Sequence, residues 1–494
     1  MFNFQNFEER HFLEFLKQGY LDEYIEEILS IFSQLTPKLQ FSLIVYVREN
    51  LKGYIHPRVL AKVLNISIND AEKILFAKSR TFEIILTQPE NFGILGKGKF
   101  CQAILIPQTS KIITNLGHLK PKLKVIKSFM NQGFAVFFDE FFKGDSFMLP
   151  LAVYLGTENI PKDLRFTGKL DTKGNILEIE FLREKALLCE EHNLRLISPV
   201  NVKNFREIKN YLDRKSWNIP FYITTAGKEE FNTYLYHLKE KVTENFEEFI
   251  SKLTLFYNLR EKNFYLVTGQ LKEKEDWVRV CEEFYSKIYL IKNKLPGEKV
   301  FHLALRSATT LSFALGVIFS HFDPFVFYHY QSISGKTDYY PISVLTPREL
   351  KERIRNYQHI KPYFEKAGED LVVILNFSHH EPFADVKAYV LQILKAPSFL
   401  MIESEWKGNI PINKFFHISK ETASFLQEIR QKHHFRSYHF FFSCPLPIAF
   451  LVGLAFGHYV DGFIYNYQKE GSTYEQVLDF KILRKIREKM SENS

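Results

Sequence analysis

The chain has 494 residues and 46% hydrophobic content, with 65 Lys and Arg against 57 Asp and Glu for a net charge of +8. This length allows about three domains with ample cores, and the composition is that of a soluble globular protein. The mild positive charge suits a small polyanionic ligand without demanding a nucleic-acid polymer. Four scattered cysteines, Cys101, Cys189, Cys281 and Cys444, predict a reducing cytoplasm with neither a disulfide framework nor structural zinc.

The N-terminal MFNFQNFEERHFLEF is acidic and amphipathic, unlike a signal peptide, so a cytoplasmic location is expected. Residues 1–88 read as a helical region. Within it, Ile55 to Lys78 has helix-turn-helix spacing, with Asn65 and Asn69 near the turn. A DNA reader places a basic face on the second helix, whereas this one carries Asp70 and Glu72. A packing or docking role is therefore expected; a DNA-binding regulator would instead show salt-dependent binding.

Further on, FKGDSFMLPLAVYL (Phe142 to Leu155) reads as a Gly144-Asp145 turn, then Ser146, then an apolar helix with Pro150 tolerated near its first turn. Ser146 then lies at a helix N-terminus, where free N–H groups and the dipole favour an oxyanion. The pattern G-x-S-x-G fits poorly, because Met148 replaces the second glycine. Residues 182–191 read as a helix with Leu182, Ala186 and Cys189 on its apolar face, and Lys185 falls on that face. A lysine facing a core loses the hydration that favours its charge, so its pKa drops and a neutral amine becomes available as a base for a serine.

Thr167-Gly168, Gly174, Ile176-Leu177, Ile179, the tetrad Leu182 to Lys185 and Ile197-Ser198-Pro199, together with Gly144-Asp145-Ser146, resemble the proteolytic domain of the Lon proteases over roughly residues 90 to 240. The resemblance implies an α+β Lon-type domain at 89–240, with Ser146 as nucleophile, Lys185 as general base and Thr167 as the partner that orients the lysine. Glu180 and Phe181 replace the usual glycines before the tetrad, and Phe147 and Met148 replace small residues after the serine. On this reading these bulky groups line the cleft.

The remainder contains an internal repeat. His302 to Gln331 aligns without gaps on His439 to Gln468 at an offset of 137, with eight identities: the pairs 302/439, 313/450, 316/453, 319/456, 321/458, 328/465, 330/467 and 331/468. Each copy reads strand, turn, helix, strand, the parallel unit of doubly wound folds, and each follows an apolar strand, Phe264 to Gln270 or Leu371 to His380. The uncharged Phe440 to Gly457, divided by Pro445 and Pro447, reads as strand-turn-helix in preference to a membrane span. Ligands of such sheets bind at the carboxyl ends of the strands, and helix N-termini there favour phosphate. The candidate ligand-binding residues are Gly269, Gln270, Arg306, Ser307, Thr309, Asn376, Ser378, His379, Trp406, Lys407, Ser443 and Pro445.

Trp406 reads either as a base-stacking platform or as a core or rim tryptophan. Ser334 to Thr337 mimics the end of a P-loop but lacks its earlier glycine and any following helix pattern. The pairs His379-His380 and His433-His434 diverge as neighbours, so no metal site is expected.

This half resembles the SAVED domain, two fused CARF-like Rossmann units, over roughly 250 to 485 of a domain drawn at 250–494, with halves at about 250–365 and 366–485. The resemblance rests on the duplicated unit and its closing Phe463 to Gln468. The whole chain, an α/β multidomain protein, then resembles the CRISPR-associated Lon proteases fused to SAVED sensors. That family implies an ATP-independent serine endopeptidase activated by cyclic oligoadenylate, cyclic tetra-adenylate in particular, made by a type III CRISPR complex. It also implies a limited cut in a protein resembling an anti-sigma factor and a ligand-induced homo-oligomer, with no cofactor, membrane or stable nucleic-acid polymer. The alternative is a catalytically degenerate sensor or scaffold that recruits a partner.

Overall fold

The N-terminal helices do not stand alone. In a computed structural model, residues 8–87, 97–319, 323–333, 335–344, 346–469 and 471–491 are described, and the chain divides into two units, Met1–Arg214 and Lys215–Ser494. In the first unit, helices Glu9–Lys17, Ile25–Ser30, Pro37–Asn50, Pro57–Leu64 and Ile68–Phe76 bury apolar faces. Thr36 and Ser67 cap two of them by accepting from Leu39 and Asp70 N–H groups. Leu43, Val47 and Ile74 share one core with Ile104, Ile106 and Phe137 of the following sheet. The helical and α+β regions drawn separately in sequence thus share one core within one compact unit; the boundary at 88/89 lies outside the described residues.

The helix-turn-helix spacing is explained by this packing. Asn65 ends the first helix in the left-handed conformation (φ 50°), and Ile68–Phe76 follows. Asp70 is fully buried and accepts from Ser110 N–H at 2.7 Å and from its hydroxyl. Burial pushes the Asp70 carboxyl up, but the Ser110 and Ser67 hydrogen bonds outweigh it and hold it below the usual range. The acid that argued against DNA reading is the peg that docks this helix on the sheet.

That sheet runs in the order Arg80–Thr87, Gly98–Thr109, Gly133–Phe138, Ile113–Thr114, antiparallel except for the last pair. Every residue of Gly133–Phe138 is buried. Helices Lys120–Met130, Met148–Gly156 and Leu182–Glu191 are the elements that carry the candidate site, the last with the bounds read from the sequence.

In the second unit, Ser216–Thr224 is an interior strand of a five-stranded sheet whose middle strand is Glu298–Arg306. It pairs in parallel with Tyr265–Val267 on one side and Glu298–Arg306 on the other. Phe325–Ile333 and Lys336–Val344 complete that sheet. The sequence reading placed residues 216–240 in the preceding domain; the unit begins instead at Lys215, because this strand finds both its hydrogen-bonding partners there. The second sheet has the order Lys361–Glu365, Ser398–Glu403, Asp370–Asn376, Ser437–Ser443, Gly462–Gln468, Thr473–Asp479. Lys361–Glu365, assigned in sequence to the first half, pairs antiparallel with Ser398–Glu403 and belongs to the second.

Several identities of the repeat are packing residues. His302 Nδ1 meets the Tyr328 hydroxyl at 2.9 Å, and His439 Nδ1 meets the Tyr465 hydroxyl at 2.9 Å. Burial pushes both imidazoles down to about 4. Helices Thr309–Ile318 and Leu446–Phe456 cross at their glycines: a Cβ on Gly316 would lie 2.1 Å from the Phe450 carbonyl oxygen, and one on Gly453 2.2 Å from that of Phe313. Both helices are buried on nearly every face, which accounts for the apolar run at 440–457. Among the described residues no helix is long and apolar enough to cross a membrane. Thr337 lies on a strand, as the missing helix pattern required; Ser334 and His321 lie outside the described residues.

Candidate functional sites

In the first unit the turn carrying Ser146 is held from two sides. Lys122, on Lys120–Met130, donates to the Lys143 carbonyl at 2.5 Å, to that of Gly144 at 3.4 Å and to the Asp145 carboxylate. Lys169 reaches the other Asp145 oxygen at 3.0 Å. Burial raises the Asp145 carboxyl, but the two lysines together outweigh that and hold it below its usual range. The backbone adds a clasp: Gly168 N–H donates to Ser146 C=O at 3.1 Å, and Leu149 N–H donates to Gly168 C=O at 3.0 Å.

Thr167, the residue before Gly168, is buried and donates its own N–H to Ile197 C=O at 2.9 Å. Its hydroxyl accepts from Lys185 Nζ at 3.5 Å. Lys185 is only 3% exposed, and burial pushes its amine down to about 8. Two consecutive residues, Thr167 and Gly168, therefore connect the lysine to the serine, which is itself 8% exposed. The buried face of the helix is Lys185 with Cys189; Ala186, expected on that face, is exposed because the face turns one residue toward the sheet. A buried amine that gives up its own proton near pH 8, beside a hydroxyl-bearing residue, is equipped to take a proton once neutral.

Two expectations need correction. Phe147 and Met148 do not line a cleft: both are buried, with the Phe147 ring 5.9 Å from Phe138 and 5.4 Å from Phe142. Phe181 is 49% exposed and Glu180 is exposed; Phe181 takes the left-handed conformation (φ 57°) that the usual glycine would adopt without strain. The helix behind Ser146 also offers fewer donors than expected. Met148 N–H is bonded to Asp145 C=O, Leu149 N–H to Gly168 C=O, and Pro150 has none. An oxyanion would have to draw on the N–H groups of the turn itself. Lys122 and Lys169 were not singled out in sequence, since nothing local marks a lysine that clamps a turn some twenty residues away.

In the second unit the candidate ligand residues all fall on the carboxyl side of the two sheets. Arg306, at the end of its strand, is in register with Thr224, and Thr268 N–H bonds to Thr224 C=O, which sets Gly269 and Gln270 on the same edge. Arg306 Nη1 contacts Glu230 Oε1 at 2.5 Å, and its guanidinium lies 5.8 Å from the Tyr330 ring centroid. Gly269 (φ 65°) faces open space. The Ser307 hydroxyl is buried without a hydrogen-bond partner. Thr309 donates to Cys444 C=O at 3.2 Å and Ser312 to Leu446 C=O at 2.7 Å, so the N-termini of the two crossing helices meet at Ser443 to Pro445.

On the second sheet Asn376, Glu403 and Ser443 are in register. Asn376 is fully buried; its Nδ2 donates to Glu403 at 2.5 Å and Glu381 at 3.1 Å, while its Oδ1 has no partner. Lys407 contacts both carboxylates, at 3.0 Å from Glu403. Ser378 N–H bonds to Ser443 C=O at 2.8 Å, and the Ser443 hydroxyl donates to His380 C=O. His379 lies against Gly408, where a Cβ would come within 2.2 Å of the ring. Trp406 is half-buried between His359 and the Lys414 ammonium, which sits 5.3 Å from the ring centroid.

Thr309 and Ser443 thus bond to protein and His379 packs on Gly408, whereas Gly269 and Gln270 face outward, Arg306 is exposed but paired with Glu230, and Ser307 and Asn376 hold unmet polar atoms. Thr224, Glu230, Glu381 and Glu403 were missed. Thr224 and Glu230 fell in the segment assigned to the wrong domain, and nothing local distinguishes a carboxylate that pairs beneath a strand end from a solvated one.

No curated protein matches the chain. Among solved structures it is similar to the Acinetobacter baumannii Cap4 SAVED/CARF-domain containing receptor with the cyclic trinucleotide 2'3'3'-cAAA, at 13% identity and TM-score 0.37, covering 53% of this chain and 51% of that one. The same receptor with 3'3'3'-cAAA aligns at 15% identity and TM-score 0.34, over 42% and 44%. The Moraxella osloensis Cap4 receptor aligns at 13% and 0.31, over 53% and 50%. The chain thus spans about half the length of these receptors. Residues 308–480, from the first crossing helix to the end of the second sheet, match the family model of SAVED, the SMODS-associated and fused to various effectors sensor domain.

Proposed function

We propose that this chain is a serine endopeptidase gated by a cyclic oligonucleotide, with Ser146 and Lys185 as the catalytic pair and the second unit as the sensor. The observation that carries the peptidase reading is Lys185: buried, lowered to about 8, and hydrogen-bonded to Thr167 next to the residue that clasps Ser146. The sensor reading rests on the match of residues 308–480 to a sensor-domain family fused to effectors, and on the polar edge where two helix N-termini meet. By the family resemblance the ligand is a cyclic oligoadenylate, cyclic tetra-adenylate in particular, of type III CRISPR antiviral signalling. The substrate is then a partner protein resembling an anti-sigma factor, cut once or a few times within a ligand-induced homo-oligomer.

The chemistry is acyl transfer. Neutral Lys185 takes the Ser146 hydroxyl proton as the oxygen attacks the peptide carbonyl. The oxyanion is met by N–H groups of the Asp145 to Phe147 turn, and the lysine returns the proton to the leaving amine. The same amine then takes a proton from water as that water attacks the acyl-enzyme and returns the proton to the departing Ser146 oxygen, which releases the acid and regenerates the pair. Thr167 fixes the amine, and Lys122 with Lys169 fixes the turn.

A second reading, a degenerate scaffold that recruits a partner, draws support from Phe147 and Met148 in the core and from the occupied first-turn donors. A serine-reactive phosphonate separates the two: the peptidase is labelled at Ser146 and loses both label and peptide cleavage in Ser146→Ala with its fold intact. Absence of label in the wild-type chain would sink the peptidase. Gating is tested with the candidate partner and a panel of cyclic oligoadenylates, and equal cleavage with and without ligand would overturn it.

A further inference from the structure

Between the backbone that clasps Ser146 and the helix that carries Lys185, two apolar side chains are left in the open. The short strands Lys169–Leu170 and Ile176–Leu177 pair antiparallel, with Lys169 opposite Leu177 and Leu170 opposite Ile176. Opposite residues of such a pair share a face. Leu170 and Ile176 are buried on the inward face, so Lys169 and Leu177 take the outward one, where Leu177 is 39% exposed. That outward face borders the Ser146 turn, since the Lys169 ammonium lies 3.0 Å from the Asp145 carboxylate.

Four residues on, Phe181 opens the helix Leu182–Glu191, and Lys185 N–H donates to its carbonyl at 3.3 Å. The left-handed conformation at this point crowds the Cβ of any residue but glycine against the backbone. Among the described residues, the other non-glycine residues with positive φ are polar or small, four of them Asn, and Phe181 is the one aromatic. Burial does not offset that strain, because Phe181 stays half-exposed. A glycine would offer Lys185 the same carbonyl with neither strain nor ring. What the strained residue adds is therefore its side chain, placed at the start of the helix that holds the candidate base.

We propose that Phe181 and Leu177 form a subsite that selects an apolar substrate side chain next to the scissile bond. The inference rests on the peptidase reading of Ser146 and Lys185. An apolar side chain bound there covers both exposed surfaces, whereas a polar one is desolvated against them without a partner. An acid meets, in addition, the exposed Glu178 and Glu180 of the same segment.

The full chain, with and without cyclic tetra-adenylate, is assayed on fluorogenic peptides that differ only in the residue on one or the other side of the cleaved bond. At one of those two positions kcat/KM is expected to be roughly tenfold or more higher for Leu or Phe than for Ser or Asp; the ratio falls to about threefold or less in Phe181→Gly and narrows in Leu177→Ser. The melting temperature of F181G should stay level or rise, because glycine adopts the left-handed conformation freely. Should it fall, Phe181→Asn, which also tolerates that conformation, takes its place. A phosphonate label on Ser146 of the wild-type chain keeps the two questions apart. With the label present, no cleavage of the panel, cleavage without apolar preference, or a preference intact in both F181G and L177S overturns the subsite and leaves the peptidase standing. With the label absent, the peptidase reading falls and the subsite falls with it.

Discussion

Each unit holds a shielded lysine at its candidate site, and the two behave oppositely. Lys185 meets a hydroxyl and burial lowers it to about 8, while Lys407 is also penalised by burial but is raised, because Glu381 and Glu403 outweigh that penalty. Shielding from water alone does not set the protonation of a lysine; what it is shielded with does. The first arrangement yields an amine that becomes neutral near pH 8 and is then fit for proton transfer, and the second yields a fixed ammonium that can hold carboxylates, or a ligand, in place.

Substitution of Lys185 sharpens the contrast most. Lys185→Met should reduce peptide cleavage by roughly 10³-fold, in line with loss of a general base, while the melting temperature at pH 7 stays level or rises because no amine need be desolvated. A fall in both would place Lys185 among structural residues.

The pH profile comes next. Cleavage limited by chemistry should rise about tenfold per unit as pH approaches about 8 and level off above it, since only the neutral amine accepts the proton. Stability carries the same signature: the folded value lies below the ordinary 10.5, so the unfolded chain binds the additional proton between about 8 and 10.5. Stability therefore gains over that window, and the burden of the buried charge is fully present below it. Melts of K185M should lack this rise.

Lys407→Met is expected to do the reverse of K185M. It removes the cation that Glu381 and Glu403 share, so the melting temperature should fall at pH 7 and the deficit should shrink at lower pH as Glu381, no longer held down by the lysine, takes up a proton. An equal deficit at both pH values would show that the lysine acts through packing. The smallest effect, a few-fold drop in kcat with KM unchanged and rescue by Lys122→Arg, is expected for Lys122→Met, because that amine positions the turn without touching substrate. A change in KM alone would remove Lys122 from that role.

Local features are largely legible in the residue pattern. The helix Leu182–Glu191 follows from its periodicity, and the strand and helix at 437–456 from the two prolines that divide an apolar run. The duplicated units follow from an offset of 137 that survives intact in two His–Tyr pairs and one glycine crossing. The illegible parts involve partners distant in sequence. Ser216–Thr224 became the neighbour of Glu298–Arg306 through backbone hydrogen bonds that no side-chain pattern announces, so the domain boundary was drawn too late. Phe147 read as a cleft residue, yet a ring just ahead of the helix Met148–Gly156 goes wherever Phe138 and Phe142 leave space.

The sequence by itself determined the periodicities, the repeat, and the placement of one lysine on an apolar face with one serine in a Gly-Asp turn, because these depend on residues within a few positions of one another. Only the tertiary structure decided that Gly168 clasps Ser146 while Thr167 holds Lys185, that the first-turn donors behind the serine are already occupied, and that Arg484 and Arg487 both reach His458. Those outcomes depend on hydrogen bonds, desolvation and charge between segments whose proximity arises when the chain closes on its cores.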